Sequence, residues 1–110
     1  MGTLTYDGQG VEFDDRLLAH LQIVVVQKLT RRESFLMSWL NAVSIGDGRT
    51  SIWLDHTIPL RFHFLGSRTP EINRDWLERL TASAASSTGL IVYGEDGSLA
   101  RSNGMVSQRH

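Results

Sequence analysis

The chain has 110 residues, of which 41% are hydrophobic, and its eleven basic and twelve acidic side chains leave a net charge of −1. This length and composition are typical of one globular domain with its own core, and the balanced charge excludes an overall field that attracts nucleic acid or anionic lipid. The absence of cysteine excludes disulfides, thiolate nucleophiles and thiolate-bound metals.

No stretch of the sequence has the pattern of a membrane span or of a secretory signal. The longest aliphatic run, at residues 21–26, is interrupted by Gln22, and the N-terminus has no basic group ahead of an apolar stretch. We therefore expect a cytoplasmic protein without a membrane partner.

The first residues have the pattern of a β-hairpin. Leu4 and Tyr6 alternate with two threonines, residues 7–10 supply turn chemistry, and residues 11–13 form the returning strand.

The period of the apolar residues then changes to that of a helix. From Leu17 to Leu29 they recur every three or four residues, as one buried helix face requires. This spacing predicts a helix over residues 15–29, with Asp14 as its N-cap.

Three strands are predicted in the middle of the chain, from alternation and from the turn residues that separate them. They lie at residues 34–40, 50–55 and 60–65. A glycine-bearing connection at residues 44–48 joins the first strand to the second. Because Pro59 cannot donate to a ladder, residues 56–59 are expected to form the turn of an antiparallel pair between the second and third strands.

A second helix and a last short strand follow. Asn73 is the expected N-cap of the helix, and Trp76 and Leu80 lie on its inner face. Residues 86–89 end the helix, and residues 90–93 form the strand.

Residues 94–110 contain few large apolar side chains, so we expect a single domain of residues 1–93 followed by a poorly ordered tail. The elements of that domain follow in the order strand, strand, helix, three strands, helix, strand. This order predicts an α+β fold in which two helices pack on one face of a largely antiparallel sheet.

Several segments resemble those of a known family. They are residues 2–6 (GTLTY), 13–21 (FDDRLLAHL), 33–35 (ESF), 38–39 (SW), 48–54 (GRTSIWL), 58–60 (IPL), 66–68 (GSR) and 73–76 (NRDW), with Phe62 and Phe64. Together they are similar to a family of small actinobacterial proteins with a domain of unknown function, often automatically labelled "ATP-dependent DNA ligase". The resemblance spans residues 2 to 93 and carries over no catalytic residue.

The chemistry of a ligase does not match the residues. Nucleotidyl transfer uses a lysine nucleophile in a K-x-D-G motif together with carboxylates that hold a metal ion. The one lysine, Lys28, is followed by Leu29, Thr30 and Arg31. The sequence therefore gives no support for nucleotidyl transfer by this chain, and a structural Lys28 is expected.

The histidines also lack a recognisable catalytic or metal-binding arrangement. His20, His56, His63 and His110 show none of the spacings of a zinc site. His56 beside Asp55, with His63 one strand away, is compatible with an acid/base pair or with ordinary turn and sheet-face roles. We assign no catalytic residue and expect no metal and no cofactor.

The most informative pattern is the second face of the predicted sheet. Alternation places Trp53, Arg61 and His63 on the face that points away from the helices, and Arg49 and Arg68 are further basic residues that could join them. Three explanations stay open for this surface: self-association, stacking of single-stranded nucleic acid or a nucleotide, and coverage by the C-terminal tail.

We favour self-association, because aromatic and arginine side chains are enriched at protein interfaces and the net charge is not basic. The leading hypothesis is a small interaction module that forms a homo-oligomer through this face. The alternative is an accessory domain of DNA metabolism that binds a nucleotide or single-stranded nucleic acid, and an enzyme comes third.

Overall fold

The computed structural model describes residues 1–43, 46 and 48–107. Part of the predicted connection at 44–48, namely residues 44, 45 and 47, lies outside the described residues, as do residues 108–110. In chain order the elements are β1 (Gly2–Tyr6), β2 (Gln9–Phe13), α1 (Asp15–Thr30), β3 (Phe35–Leu40), β4 (Arg49–Leu54), β5 (Leu60–His63), α2 (Arg74–Ala84), β6 (Leu90–Ile91) and β7 (Gly104–Ser107).

The predicted α+β class is confirmed, and so is the order of elements as far as β6. The strands divide between two sheets: a four-stranded sheet in the order β5-β1-β2-β7 and a three-stranded sheet in the order β4-β3-β6. All pairs are antiparallel except β3 with β6. The two helices contact each other, α1 packs on β1, and α2 packs on β3 and β6.

Both helices begin where the sequence predicts. The Asp14 carboxylate accepts the N–H of Arg16 at 3.2 Å, and the Asn73 side-chain oxygen accepts the N–H of Trp76 at 3.2 Å. These bonds satisfy amides that have no partner within the helix. Neither helix of the described chain is both long and apolar enough to cross a bilayer.

The core lies between the helices and the inner faces of both sheets. Its largest fully buried side chains come from β1 to β4, both helices and the β6 region, and they are Phe13, Leu4, Leu18, Leu21, Met37, Leu54, Leu80, Leu90, Val24, Val25 and Val92, together with His20. Gly89, with φ of +79°, lets β6 approach β3, because a Cβ there would meet the backbone of Leu36.

The buried His20 joins α1 to the start of α2. Its Nδ1 donates to the carbonyl of Arg16 at 2.7 Å, and its Nε2 accepts the N–H of Asn73 at 2.9 Å. The ring lies 4.2 Å from the ring of Trp76, measured between centroids. Both ring nitrogens therefore have backbone partners, which allows complete burial of a polar side chain.

The expected antiparallel pairing of the strands around Pro59 is wrong. β4 pairs with β3, with Leu54 opposite Phe35, whereas β5 pairs with β1, with His63 opposite Thr3. Hydrogen bonds at the end of β4 explain why β5 does not pair with it. There the Tyr6 hydroxyl binds the carbonyl of Trp53 and the N–H of Asp55. A neighbouring strand would need these same groups.

The segment after Tyr93 also differs from the expectation of a poorly ordered tail. Leu40 donates its N–H to Ala100 and accepts from that of Ser102, and Asn103 donates to Glu12. β7 then extends the four-stranded sheet beside β2. The amino-acid composition of a segment indicates how much apolar surface it can bury. The hydrogen bonds of this segment are formed by backbone groups, which need few apolar side chains.

Deleting residues 94–110 tests this contribution. We expect the melting temperature to fall by more than about 8 °C, because several backbone hydrogen bonds of about 0.5–1.5 kcal/mol each are lost and about 1 kcal/mol moves a domain of this size by about 4–8 °C. Differential scanning calorimetry measures the shift. A fall of less than about 4 °C would show that the fold is complete at Tyr93.

Candidate interaction surface

Alternation along β3 and β4 creates a sheet surface that points away from the core. Phe35, Met37 and Trp39 are buried, while the residues between them are half-buried on the opposite side. We call this opposite side the outer face. Its members are Leu36, Ser38, Leu40, Arg49, Ser51, Trp53, Ile91 and Leu99.

Trp53 is the most prominent side chain of the outer face. It is 60% exposed, although it lies directly across from the half-buried Leu36. Next along the two strands, the hydroxyls of Ser38 and Ser51 lie 2.7 Å apart. The outer face is thus open to solvent at its largest aromatic side chain.

The other end of the outer face combines apolar side chains with a cation. Leu40 lies across from the exposed Arg49. Together with Ile91 and Leu99 they surround a small cavity of about 40 Å³. Leu99 is 45% exposed, so the outer face has a second apolar group beyond the Ser38–Ser51 pair.

β4 forms an edge of the three-stranded sheet, and Tyr6 binds part of that edge. The Tyr6 hydroxyl donates to the carbonyl of Trp53 at 2.9 Å and accepts the N–H of Asp55 at 2.9 Å. Because alternate residues of a strand direct their backbone groups to the same side, those of Arg49 and Ser51 also point to this edge. Two residues of β4 therefore present backbone donors and acceptors beyond the reach of Tyr6.

A cavity of about 260 Å³ lies where the two sheets diverge. We call it the inter-sheet cavity. Its lining residues come from β1, β2, the turn between them and β4, and they are Leu4, Tyr6, Asp7, Gln9, Val11, Ile52 and Trp53. The walls are mainly apolar, with the polar groups of Asp7 and Gln9 at the β1–β2 turn.

The end of β4 is fixed by a group of polar contacts around Asp55. Its carboxylate accepts the hydroxyls of Thr57 at 2.9 Å and Ser34 at 3.1 Å, and it lies 3.3 Å from Nδ1 of His56. The Thr57 hydroxyl is the main cause that holds the pKa of Asp55 below its ordinary value of 3.8, with smaller contributions from Ser34 and His56. Hydrogen bonds to the ionised form favour it.

The predicted site residues fall in three places. Trp53 and Arg49 both lie on the outer face, and each is two residues from Ser51 along β4. Arg61 and His63 are exposed on β5, in the four-stranded sheet, across from Thr5 and Thr3.

Arg68 belongs to neither sheet. It lies in the loop after β5 and lines a separate cavity of about 270 Å³ beside α1. The structure therefore brings Trp53 together with Arg49 and places the other basic residues elsewhere, because β4 and β5 are in different sheets.

Lys28 and His56, two of the residues considered for chemistry, have structural partners. Lys28 forms an ion pair with Glu33 at 3.2 Å, and its ammonium lies 5.8 Å from the ring centre of Phe35. His56 contacts Asp55, whereas His63 lies on β5 across from Thr3.

Sequence reasoning missed the aliphatic part of the outer face. Leu36 and Leu40 lie on the face of β3 opposite its three buried aromatic and methionine side chains, so this strand has apolar residues on both faces. That pattern indicates a strand with a second surface to cover. Ile91 and Leu99 gave no such signal, because their positions depend on how the chain packs after α2.

A comparison with protein families identifies the chain. The family model described as "Domain of unknown function (DUF7882)" matches residues 1–95. The chain belongs to the DUF7882 family.

The DUF7882 match includes the elements from β1 to β6 and stops before β7. Trp53, Arg49 and the residues of the inter-sheet cavity all lie within it. No curated protein and no solved structure matches the chain.

Replacing Tyr6 with Phe tests the connection between the two sheets. We expect the free energy of unfolding to fall by about 1–3 kcal/mol, because the Trp53 carbonyl and the Asp55 N–H lose their common partner. Urea denaturation measures this loss. Tyr93→Phe is the matched control, since no hydrogen bond of its hydroxyl is found among the described residues, and a change there should stay within about 0.5 kcal/mol. Equal effects of the two substitutions would contradict the role of Tyr6.

Replacing Thr57 with Val tests the cause of the lowered pKa of Asp55. We expect the pKa of Asp55 to rise toward 3.8, because its main hydrogen bond is lost, while Thr57→Ser keeps the hydroxyl and the lowered pKa. Carboxyl carbon chemical shifts followed through a pH titration measure both values.

The same substitution has a defined effect on stability. The pKa of Asp55 is lower in the folded chain than in the unfolded chain, so its ionisation stabilises the fold above the unfolded value, and this contribution disappears as the pH falls through the folded value. Thr57→Val and wild type should therefore differ most near neutral pH and converge in acid. A constant difference at all pH values would contradict this explanation.

Proposed function

We propose that this DUF7882 chain is a small interaction module that self-associates through the outer face. The observation that carries the proposal is the 60% exposure of Trp53 on a surface that continues through Leu36 to Leu40 and Leu99. Tryptophan and arginine dominate the binding energy of protein interfaces, especially where apolar neighbours exclude water around them.

The pattern along β4 suits a second copy of the same chain. Arg49, Ser51 and Trp53 project from the outer face in succession. A two-fold axis near Ser51 would place Arg49 of one copy against Trp53 of its partner, and the same contact would form twice. A guanidinium over an indole ring is a favourable pairing, so the surface is complementary to itself.

The competing proposal is that Trp53 stacks on a base of single-stranded nucleic acid. Such a surface needs cations beside the aromatic ring to follow the phosphate backbone. Arg49 lies on the outer face, and Arg101 pairs with Leu40 at its far end and donates to the carbonyl of Asn41 at 2.9 Å, whereas Arg61, His63 and Arg68 lie elsewhere. This arrangement supports self-association over nucleic-acid binding.

Trp53→Ala and Arg49→Glu test self-association. We expect wild type to form a dimer, and we expect each substitution to raise its dissociation constant at least about thirtyfold, the effect of losing an interface hot spot of about 2 kcal/mol. Sedimentation equilibrium over a range of concentrations measures the constant. Leu65→Ala is the matched control, because Leu65 is 69% exposed but follows β5.

The variants should remain folded, since exposed side chains contribute within about 0.5 kcal/mol to stability. A wild-type protein that stays monomeric, or a dimer that Trp53→Ala leaves unchanged, would overturn the proposal. Binding of the monomer to single-stranded DNA, weakened by salt and lost in Trp53→Ala, would establish the nucleic-acid alternative.

A further inference from the structure

The inter-sheet cavity has the size of a site for a small organic molecule. Its volume is about 260 Å³. Apolar cavities of about 150 Å³ bind benzene, so this one has space for a ring with a short chain. Leu4 and Val11 form a buried apolar floor, and Ile52 is a half-buried wall.

The charge at the cavity is negative. Asp7 is the one charged residue among the described residues that line it, and this carboxylate forms no ion pair within the described part of the chain. Gln9, also exposed, adds an amide oxygen beside it. Arg61 lines a neighbouring cavity with Asp7, on the other side of the β1–β2 turn. The carboxylate is therefore available to a ligand from solvent.

The turn geometry fixes the backbone that carries this carboxylate. Asp7 has φ of +51°, in the left-handed region that aspartate and asparagine adopt more readily than most residues. It directly follows Tyr6, whose hydroxyl is held by the end of β4. Asp7 is thus carried by a β1–β2 turn whose preceding residue, Tyr6, is held at the end of β4.

We propose that the inter-sheet cavity binds a small organic cation, an aryl- or alkylammonium ion whose apolar body lies against Leu4, Val11 and Ile52 and whose head pairs with Asp7. A cation also gains from the aromatic ring of Tyr6, because an aromatic ring attracts positive charge to its face. Anions of the same size are repelled by the carboxylate. This proposal does not rest on self-association, because a monomer can bind such a ligand.

Three probes of similar size test the proposal: 2-phenylethylamine, which is a cation at pH 7, 2-phenylethanol and 3-phenylpropionate. We expect the amine to bind with a dissociation constant of about 1 mM, as suits a ligand of so few atoms. The alcohol should bind at least fivefold more weakly, and the carboxylate should not bind. Chemical-shift changes at Leu4, Val11 and Ile52 in the ¹⁵N-labelled protein report occupancy of this cavity.

Asp7→Asn keeps the backbone conformation and removes the charge. The substitution should weaken binding of the amine at least fivefold, to the affinity of the alcohol, and should leave the affinity for the alcohol unchanged. Glu71→Gln, which removes an exposed acidic group before α2, should change neither of these two affinities. Equal binding of amine and carboxylate, an unchanged affinity in Asp7→Asn, or no shift at the cavity residues up to the solubility limit of the amine would overturn the proposal.

Discussion

The Tyr6 hydroxyl connects the two sheets at the point where β4 ends. It donates to the carbonyl of Trp53 and accepts the N–H of Asp55, so one side chain of β1 satisfies two backbone groups on an open strand edge. Backbone groups of this kind must find partners when they are shielded from water. Because Tyr6 supplies that partner, the chain leaves β4 through the turn at Asp55, and β5 pairs with β1. The inter-sheet cavity follows from this separation.

A second polar junction holds the helices in place. Besides the backbone bonds of His20, Glu95 accepts from Arg16 at 2.6 Å and from the side chain of Asn73 at 2.9 Å, and its carbonyl accepts from Arg79 at 3.0 Å. These contacts connect α1, the start of α2 and the segment after β6. The helices are thus fixed on the inner side of the sheets, which leaves the outer face uncovered among the described residues.

The sequence predicted those parts of the fold that depend on neighbouring residues. The apolar period of α1 and the capping side chains Asp14 and Asn73 are local features, and the structure confirms them. Alternation along β4 also gave the correct outward direction of Trp53, because Leu54 on the other face is buried. These signals extend over a few residues and need no knowledge of strand partners.

The pairing of the strands could not be read from such signals. Period-two alternation shows which side chains share a face of one strand, but it does not show which strands are adjacent. The partner of Trp53 and Asp55 is Tyr6, which lies 47 and 49 residues earlier in the chain. For this reason the sequence grouped Trp53 with Arg61, whereas the structure groups it with Arg49.

Trp53 belongs both to the outer face and to the lining of the inter-sheet cavity, so the two proposed sites share a residue. A ligand that contacts Trp53 in the cavity would change the free energy of self-association, because the proposed dimer interface also contains Trp53. By thermodynamic linkage, self-association would then change the ligand affinity by the same factor. The size of that factor depends on whether the indole ring occupies one position in both states. The Tyr6 hydroxyl holds the backbone of Trp53 at the end of β4, so any coupling between the two sites is carried by rotation of the exposed indole ring about its own side-chain bonds.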